Sequence, residues 1–156
     1  MSSRKQIPGS FKKIPWQPGT TNLDIGAGRF PELLTEALRT KKVENTPYDP
    51  QNQDINYIPG SQYDTITMNN VLNVIKNKKD RMILISNALN YIGLKGTIYI
   101  QIYQGDRTNH PRKTRDGWQN NYPLQHYIDE IKGTYPSVTL TKEKGLICLK
   151  LSLPTR

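Results

Sequence analysis

The chain has 156 residues, a formal net charge of +9, 35% hydrophobic residues and a single cysteine. That length fits one domain, able to bury roughly 70% of the surface its unfolded chain would expose. Leu, Ile, Val and Phe account for 36 residues, just above the ~20% share below which chains tend to stay disordered, so a folded domain with a lean core is expected. Cys148 alone excludes a disulfide framework or a Cys-based zinc cluster, and two histidines, His110 and His126, argue against a metal centre.

Residues 1–20 carry Arg4, Lys5, Lys12 and Lys13, no acid, and Pro8, Pro15 and Pro18. They read as an irregular basic arm leading into a domain over 21–156, with Ile7, Phe11, Ile14 and Trp16 as anchors. Thr21 to Ile25 is a short strand that ends at Gly26-Ala27-Gly28. Residues 30–41 read as a helix, with Pro31 in its first turn and Leu33, Leu34, Ala37 and Leu38 at helical spacing. Val43 to Tyr48 is a second strand, stopped by Asp49-Pro50. Asp54 to Ile58 is a short third, and Tyr63 to Met68 a fourth.

Residues 77–92 form the best helix, with Met82, Ile85, Leu89 and Ile92 on one face and Gly93 as its stop. Gly96 to Tyr103 is a β-branched and aromatic strand. A loop, Gln104 to Asn121, precedes a helix over 123–132 broken at Gly133. Val138–Thr141 and Leu146–Leu151 close the chain as a hairpin. Repeated strand–helix crossovers predict a three-layer α/β fold. Its doubly wound, Rossmann-like sheet is mostly parallel, with an antiparallel C-terminal hairpin.

Such sheets bind ligands beyond the carboxyl ends of their strands, where strand order reverses. Asp24 with its glycine turn, Asp49, and the Asn69-Asn70 pair all fall at such ends. The third glycine of a dinucleotide fingerprint would fall at Pro31, and no Gly-Lys-Ser/Thr follows the turn, so neither that motif nor a P-loop is present. Asp49, 25 residues after Asp24, suits a ribose diol, because an ionised carboxylate accepts two hydroxyl donors.

With LDIGAGRF at the first strand, YDP at the second, YDTITMNNVLNVI at the fourth and LKGTIYIQIY at the fifth, the chain resembles the class I S-adenosylmethionine-dependent methyltransferases. The resemblance spans about residues 21–103. It implies S-adenosylmethionine as cofactor, with Asp24, Gly26, Ala27 and Gly28 around the methionine end and Asp49 on the ribose hydroxyls. It further implies Asp54 on the adenine amino group, and Met68 and Asn69 lining the pocket. The Asp/Asn-Pro-Pro-Tyr/Phe motif of base-amino methylation is replaced by Met68-Asn69-Asn70-Val71, which argues against that route. Cys148, in the last strand, reads as a buried edge-strand cysteine and not as a nucleophile.

The loop after the fifth strand is expected to hang over the cofactor mouth. Its Arg107, Arg112, Lys113 and Arg115, with Trp118 and with Asn70 at the strand end, form the candidate acceptor surface, and His110 is the one base candidate there. The expected activity is methyl transfer to an unidentified acceptor, nucleic acid among the candidates, since a basic protein suits an anionic partner. A Lys-, Asn- and Ile-rich composition from an AT-rich genome explains the charge equally well. Two alternatives stand beside it: a non-catalytic scaffold or nucleic-acid-binding subunit that keeps the fold, and an enzyme that consumes S-adenosylmethionine without methylating a macromolecule. No apolar run approaches the ~20 residues needed to span a bilayer, and the N-terminus has no apolar secretory region, so a cytoplasmic protein without membrane association is expected.

Overall fold

The computed structural model describes residues 6–49, 62–115 and 117–152. The chain enters through a 3-10 turn, Gly9–Lys12. It then forms β1 (Thr21–Ile25), α1 (Pro31–Thr40), β2 (Glu44–Tyr48), β3 (Tyr63–Asn69), a second 3-10 turn (Leu72–Val74), α2 (Lys78–Tyr91) and β4 (Ile92–Gln101). A small hairpin follows, β5 (Arg112–Thr114) and β6 (Gly117–Gln119). Then come α3 (Leu124–Thr134), β7 (Thr139–Glu143) and β8 (Leu146–Lys150). The main sheet runs β2-β1-β3-β4-β8-β7. Its first four strands are parallel, and β8 and β7 are antiparallel to their neighbours. This is the expected α/β fold with its reversed C-terminal hairpin. The strand expected at Asp54 to Ile58 lies outside the described residues.

The period of two along the inner strands decides which face is dry. Leu23 and Ile25 of β1, Ile66 and Met68 of β3, and Ile98 and Ile100 of β4 join the largest core cluster, together with Met82, Ile85 and Ala88 of α2 and Tyr127, Ile128 and Ile131 of α3. The alternate residues of β1 and β3 (Asn22, Asp24, Thr67 and Asn69) are polar and also buried. They face the layer made by α1 and the N-terminal segment. There Leu34, Leu38 and Val43 pack against Phe11 and Trp16, and Ile14 packs on Leu146 and Cys148. The described part of the arm is therefore a covering layer of the sheet. Phe11, Ile14 and Trp16 anchor it, while Ile7 stays 46% exposed.

Four local expectations change in the structure. Gly93 does not end α2 as a left-handed cap. Helix and strand abut at Tyr91–Ile92, because Ile92 is buried in the main core and pairs with Tyr63 at the start of β3. Gly133 does not break α3, which runs on to Thr134, since Ile128 and Ile131 hold that last stretch in the core. Cys148 is buried, but β8 is an inner strand between β4 and β7, and the thiol is covered by Ile14 and Leu146 on its own face of the sheet. Burial and the nearby Glu143 push that thiol up to about 11. The loop after β4 carries the β5–β6 hairpin.

One buried ion pair ties the α2–α3 side together. Arg81 Nε lies 3.0 Å and its second terminal nitrogen 2.6 Å from the two carboxylate oxygens of Glu130. The remaining nitrogen donates to the carbonyls of Ile75 (2.8 Å) and Lys76 (3.0 Å). The guanidinium also lies 5.8 Å from the Tyr122 ring centroid and 5.9 Å from that of Tyr127. Removing one member of such a pair strands the other charge in a dry place, at a cost of about 3–5 kcal/mol. Urea denaturation of Arg81→Ala is expected to show a loss of that size, with most of it recovered by the double change Arg81→Met, Glu130→Leu.

Candidate functional site

Strand order reverses between β1 and β3, since β2 lies to one side of β1 and β3 to the other. The crevice beyond the carboxyl ends of these two strands is lined by Asp24, Gly26, Ala27, Phe30, Pro31, Leu34 and Asn69, with Gln6 and Pro8 of the N-terminal segment. Its free interior is narrow, about 30 Å³, well below the volume of a typical small-molecule site.

The glycine turn is latched to the end of β2. Gly26 N–H donates to Tyr48 O at 2.7 Å, and Gly28 N–H donates to Asp49 Oδ2 at 2.9 Å. Gly26 sits at φ +76°, and a Cβ there would stand 2.6 Å from Val71 Cγ2. Two constraints therefore demand glycine: the left-handed backbone and the close approach of the segment after β3. Pro31 opens α1 directly beyond the turn, where a missing N–H costs nothing.

Asp24 is 4% exposed. Thr67 Oγ1 donates to its Oδ1 at 2.8 Å and Asn69 Nδ2 at 3.4 Å. Burial raises its carboxyl to about 7, the charge of Asp49 adds to the rise, and the two hydrogen bonds only partly oppose it. Asn69 reaches the other way too, its Oδ1 accepting from Ser10 Oγ at 2.6 Å. Upstream the polar row continues, with Asn22 Nδ2 bonded to Asn45 Oδ1 (2.8 Å) and Thr67 Oγ1 (3.1 Å).

The structure thus brings together Asp24, Gly26, Ala27, Gly28, Asp49 and Asn69. It does not bring Met68 to them. Met68 is fully buried in the core cluster shared with α2 and α3, because a strand sends successive side chains to opposite faces, and Asn69 takes the cleft side. Asp54 lies outside the described residues. Asn70 turns the chain at φ +58°, its N–H bonded to Gln101 O at 2.8 Å.

The candidate acceptor surface stands on the turn after β3. Asn120 N–H donates to Asn73 O at 2.9 Å, and its side-chain nitrogen donates to Leu72 O (3.0 Å) and Ile75 O (3.1 Å). Asn73 Nδ2 donates to Gln119 Oε1 at 3.1 Å. Trp118 Nε1 donates to Asn120 Oδ1 at 2.8 Å, with Lys76 Nζ 4.6 Å above the indole ring. Arg107, His110, Arg112, Lys113 and Arg115 are exposed, and Arg112 reaches Asp106 at 3.8 Å. None of these hairpin residues lines the crevice itself. Sequence reading missed Ser10, Thr67 and the buried Gln119-Asn120-Asn121 run. The amide run adjoining a tryptophan was the available signal.

No protein-family model matches the chain, and no curated protein matches it. Solved structures do. A Burkholderia thailandensis 1,6-didemethyltoxoflavin-N1-methyltransferase with bound S-adenosylhomocysteine superposes at a TM-score of 0.60 and 11% identity, over 88% of this chain and 72% of that one. A Methanosarcina mazei S-adenosylmethionine-dependent methyltransferase superposes at 0.56 and 12% identity, over 88% of this chain and 95% of that one.

Two outcomes test the site's architecture. Gly26→Ala is expected to cost about 1–2 kcal/mol for the left-handed backbone and about 1–3 kcal/mol more for the clash, the second part recovered by adding Val71→Ala. Because the Asp24 carboxyl titrates higher folded than unfolded, its contribution is complete below pH 4 and is lost as pH rises through 7. Denaturant titrations from pH 4 to 8 should show Asp24→Asn abolishing that decline. At these identities the likeness is one of architecture: the chain has the fold of the class I S-adenosylmethionine-dependent methyltransferases.

Proposed function

We propose that the chain is an S-adenosylmethionine-dependent methyltransferase acting on an acceptor that carries negative charge. The observation that carries this reading is the glycine turn latched to Asp49 beside the buried Asp24 carboxyl, at the point where the sheet reverses. The chemistry of the residues fits the cofactor: a carboxyl for its ammonium group, a second for its ribose hydroxyls, and Phe30, Pro31 and Leu34 as an apolar wall. A structure of the same fold holds S-adenosylhomocysteine.

The cofactor, when bound, supplies a methyl group already activated on a sulfonium. The chain's own residues then have three tasks. Asp24, its proton released to solvent, would hold the ammonium, with Asn69 keeping one hydrogen bond on that carboxylate. Asp49, which accepts from Gly28 N–H, would take the ribose hydroxyls while Tyr48 O retains the turn. The segment around Gln6 and Pro8 roofs the crevice, excluding water and holding the reacting groups in line, which supplies much of the rate in such a displacement. His110 lies exposed on the hairpin and is given no part in these steps.

Calorimetric titration with S-adenosylhomocysteine tests the reading, with ATP and NAD as controls. Micromolar binding of S-adenosylhomocysteine alone is expected, lost in the double variant Asp49→Ala, Gly26→Val. Retained binding in that variant would place the pocket elsewhere. Because a cation needs the ionised Asp24, affinity should fall as pH drops below 7, by up to about tenfold per unit, and Asp24→Asn should weaken binding and flatten that dependence.

A further inference from the structure

We propose that the acceptor is a single-stranded nucleic acid, a base of which stacks on Tyr103 at the mouth of the crevice while the hairpin cations hold its phosphates; this rests on the methyltransferase reading above. Tyr103 is 62% exposed. It follows β4 at the carboxyl end of the sheet, two residues beyond Gln101, which pairs with Asn69. The side chain of Gln101 lies against the N-terminal segment that roofs the crevice, its Oε1 3.3 Å from where a Cβ on Gly9 would stand. Ile102, just beyond the strand, is buried in the core, and Tyr103 after it is exposed at the carboxyl end of the sheet.

The backbone beneath this ring is held firmly. Gln119 Nε2 donates to Tyr103 O at 3.2 Å, and Gln119 is itself bonded by Asn73. Asn73 and Gln119 are buried, while the aromatic ring they support stands in water. A ring on an anchored backbone loses little conformational entropy when a flat partner covers it.

Arg112 stands opposite Gln119 in the hairpin register, the residue that bonds the Tyr103 carbonyl; Arg107, Lys113 and Arg115 are exposed on the same loop, and Lys76 lies over Trp118. Across residues 104–121 the sequence sets these four hairpin cations against Asp106 and Asp116. Asp106 accepts from Thr108 N–H and Oγ1 (3.0 and 2.7 Å) and also reaches Arg112 at 3.8 Å, so the cations outnumber the acids without being wholly free of them. Cations that track a backbone, next to an exposed aromatic platform, are what single strands bind, since every base then offers a free face. In a duplex those faces are already stacked.

The test is fluorescence anisotropy with a labelled 20-nucleotide single strand, as RNA and as DNA, and with the matching duplex, at 50 and 200 mM salt. A single strand is expected to bind at least tenfold tighter than the duplex, with log affinity falling linearly against log salt. Tyr103→Ala should weaken binding by about tenfold with the salt slope unchanged, and Tyr103→Phe should restore it. The triple change Arg112→Gln, Lys113→Gln, Arg115→Gln should instead lower the slope. S-adenosylhomocysteine binding, followed by calorimetry, should be unchanged in all these variants.

The absence of strand binding at 50 mM salt, an equal affinity for duplex, or a silent Tyr103→Ala would each overturn the proposal while leaving cofactor binding as the separate measure of the enzyme reading. A strand bound by a protein that does not take S-adenosylhomocysteine would overturn the acceptor assignment and leave the scaffold in its place.

Discussion

The crevice depends on a row of polar side chains, all but Asn45 buried, where α/β sheets ordinarily bury aliphatic ones. Asn45, Asn22, Thr67, Asp24, Asn69 and Ser10 are linked hand to hand across β2, β1, β3 and the N-terminal segment. A buried polar group without a partner costs about 1–3 kcal/mol, so each member constrains the next. The row thereby sets the register of β1 against β3 and brings the N-terminal segment down at Asn69. Its one ionisable member, Asp24, is held where a charge is costly unless a cation arrives. The same desolvation that raises its proton affinity would strengthen its hold on an ammonium group.

The two faces of the sheet share the work unequally. The α2–α3 face is apolar and clamped by Arg81 and Glu130, and it carries the stability expected of a lean core. The clamp reaches the site as well. Arg81 holds the carbonyls of Ile75 and Lys76, and Asn120 bonds that same Ile75 carbonyl from the hairpin. The β5–β6 hairpin is thus braced on a turn that the buried ion pair fixes. On the other face, among the described residues, α1 and residues 11–16 supply the apolar cover, and Gln6 and Pro8 of the N-terminal segment line the crevice. Among the described residues no helix is long and apolar enough to cross a membrane.

Much of the fold was legible because periodicity reports local geometry. The glycine turn after β1, the acid ending β2 and the aromatic strand before the hairpin all lie where spacing put them. Boundary errors came from glycine. Gly93 and Gly133 read as stops, yet burial of Ile92 and Ile131 outweighs the cost of about 1 kcal/mol that glycine imposes on regular structure. The family resemblance implies Met68 and Asn69 together at the pocket, but neighbours in a strand face opposite ways, and Met68 takes the core side. The exposed loop also concealed its amides. Apart from the adjoining tryptophan, little in the local sequence announces that Gln119, Asn120 and Asn121 turn inward, since most of their partners come from residues more than 40 positions away or from across the loop.

By itself the sequence determined the alternation of strands and helices, the reversed final hairpin, and the acids and glycines available at the strand ends, because these follow from period, turn chemistry and residue type. The tertiary structure alone decided that the described part of the N-terminal arm lies over the crevice, that Ser10 meets Asn69, that Asp24 lies buried near the charge of Asp49, and that Tyr103 stands exposed with its carbonyl held by the hairpin. Those facts depend on which distant segments pack together and how much water remains between them. Burial and proximity belong to the folded chain as a whole, and no local pattern encodes them.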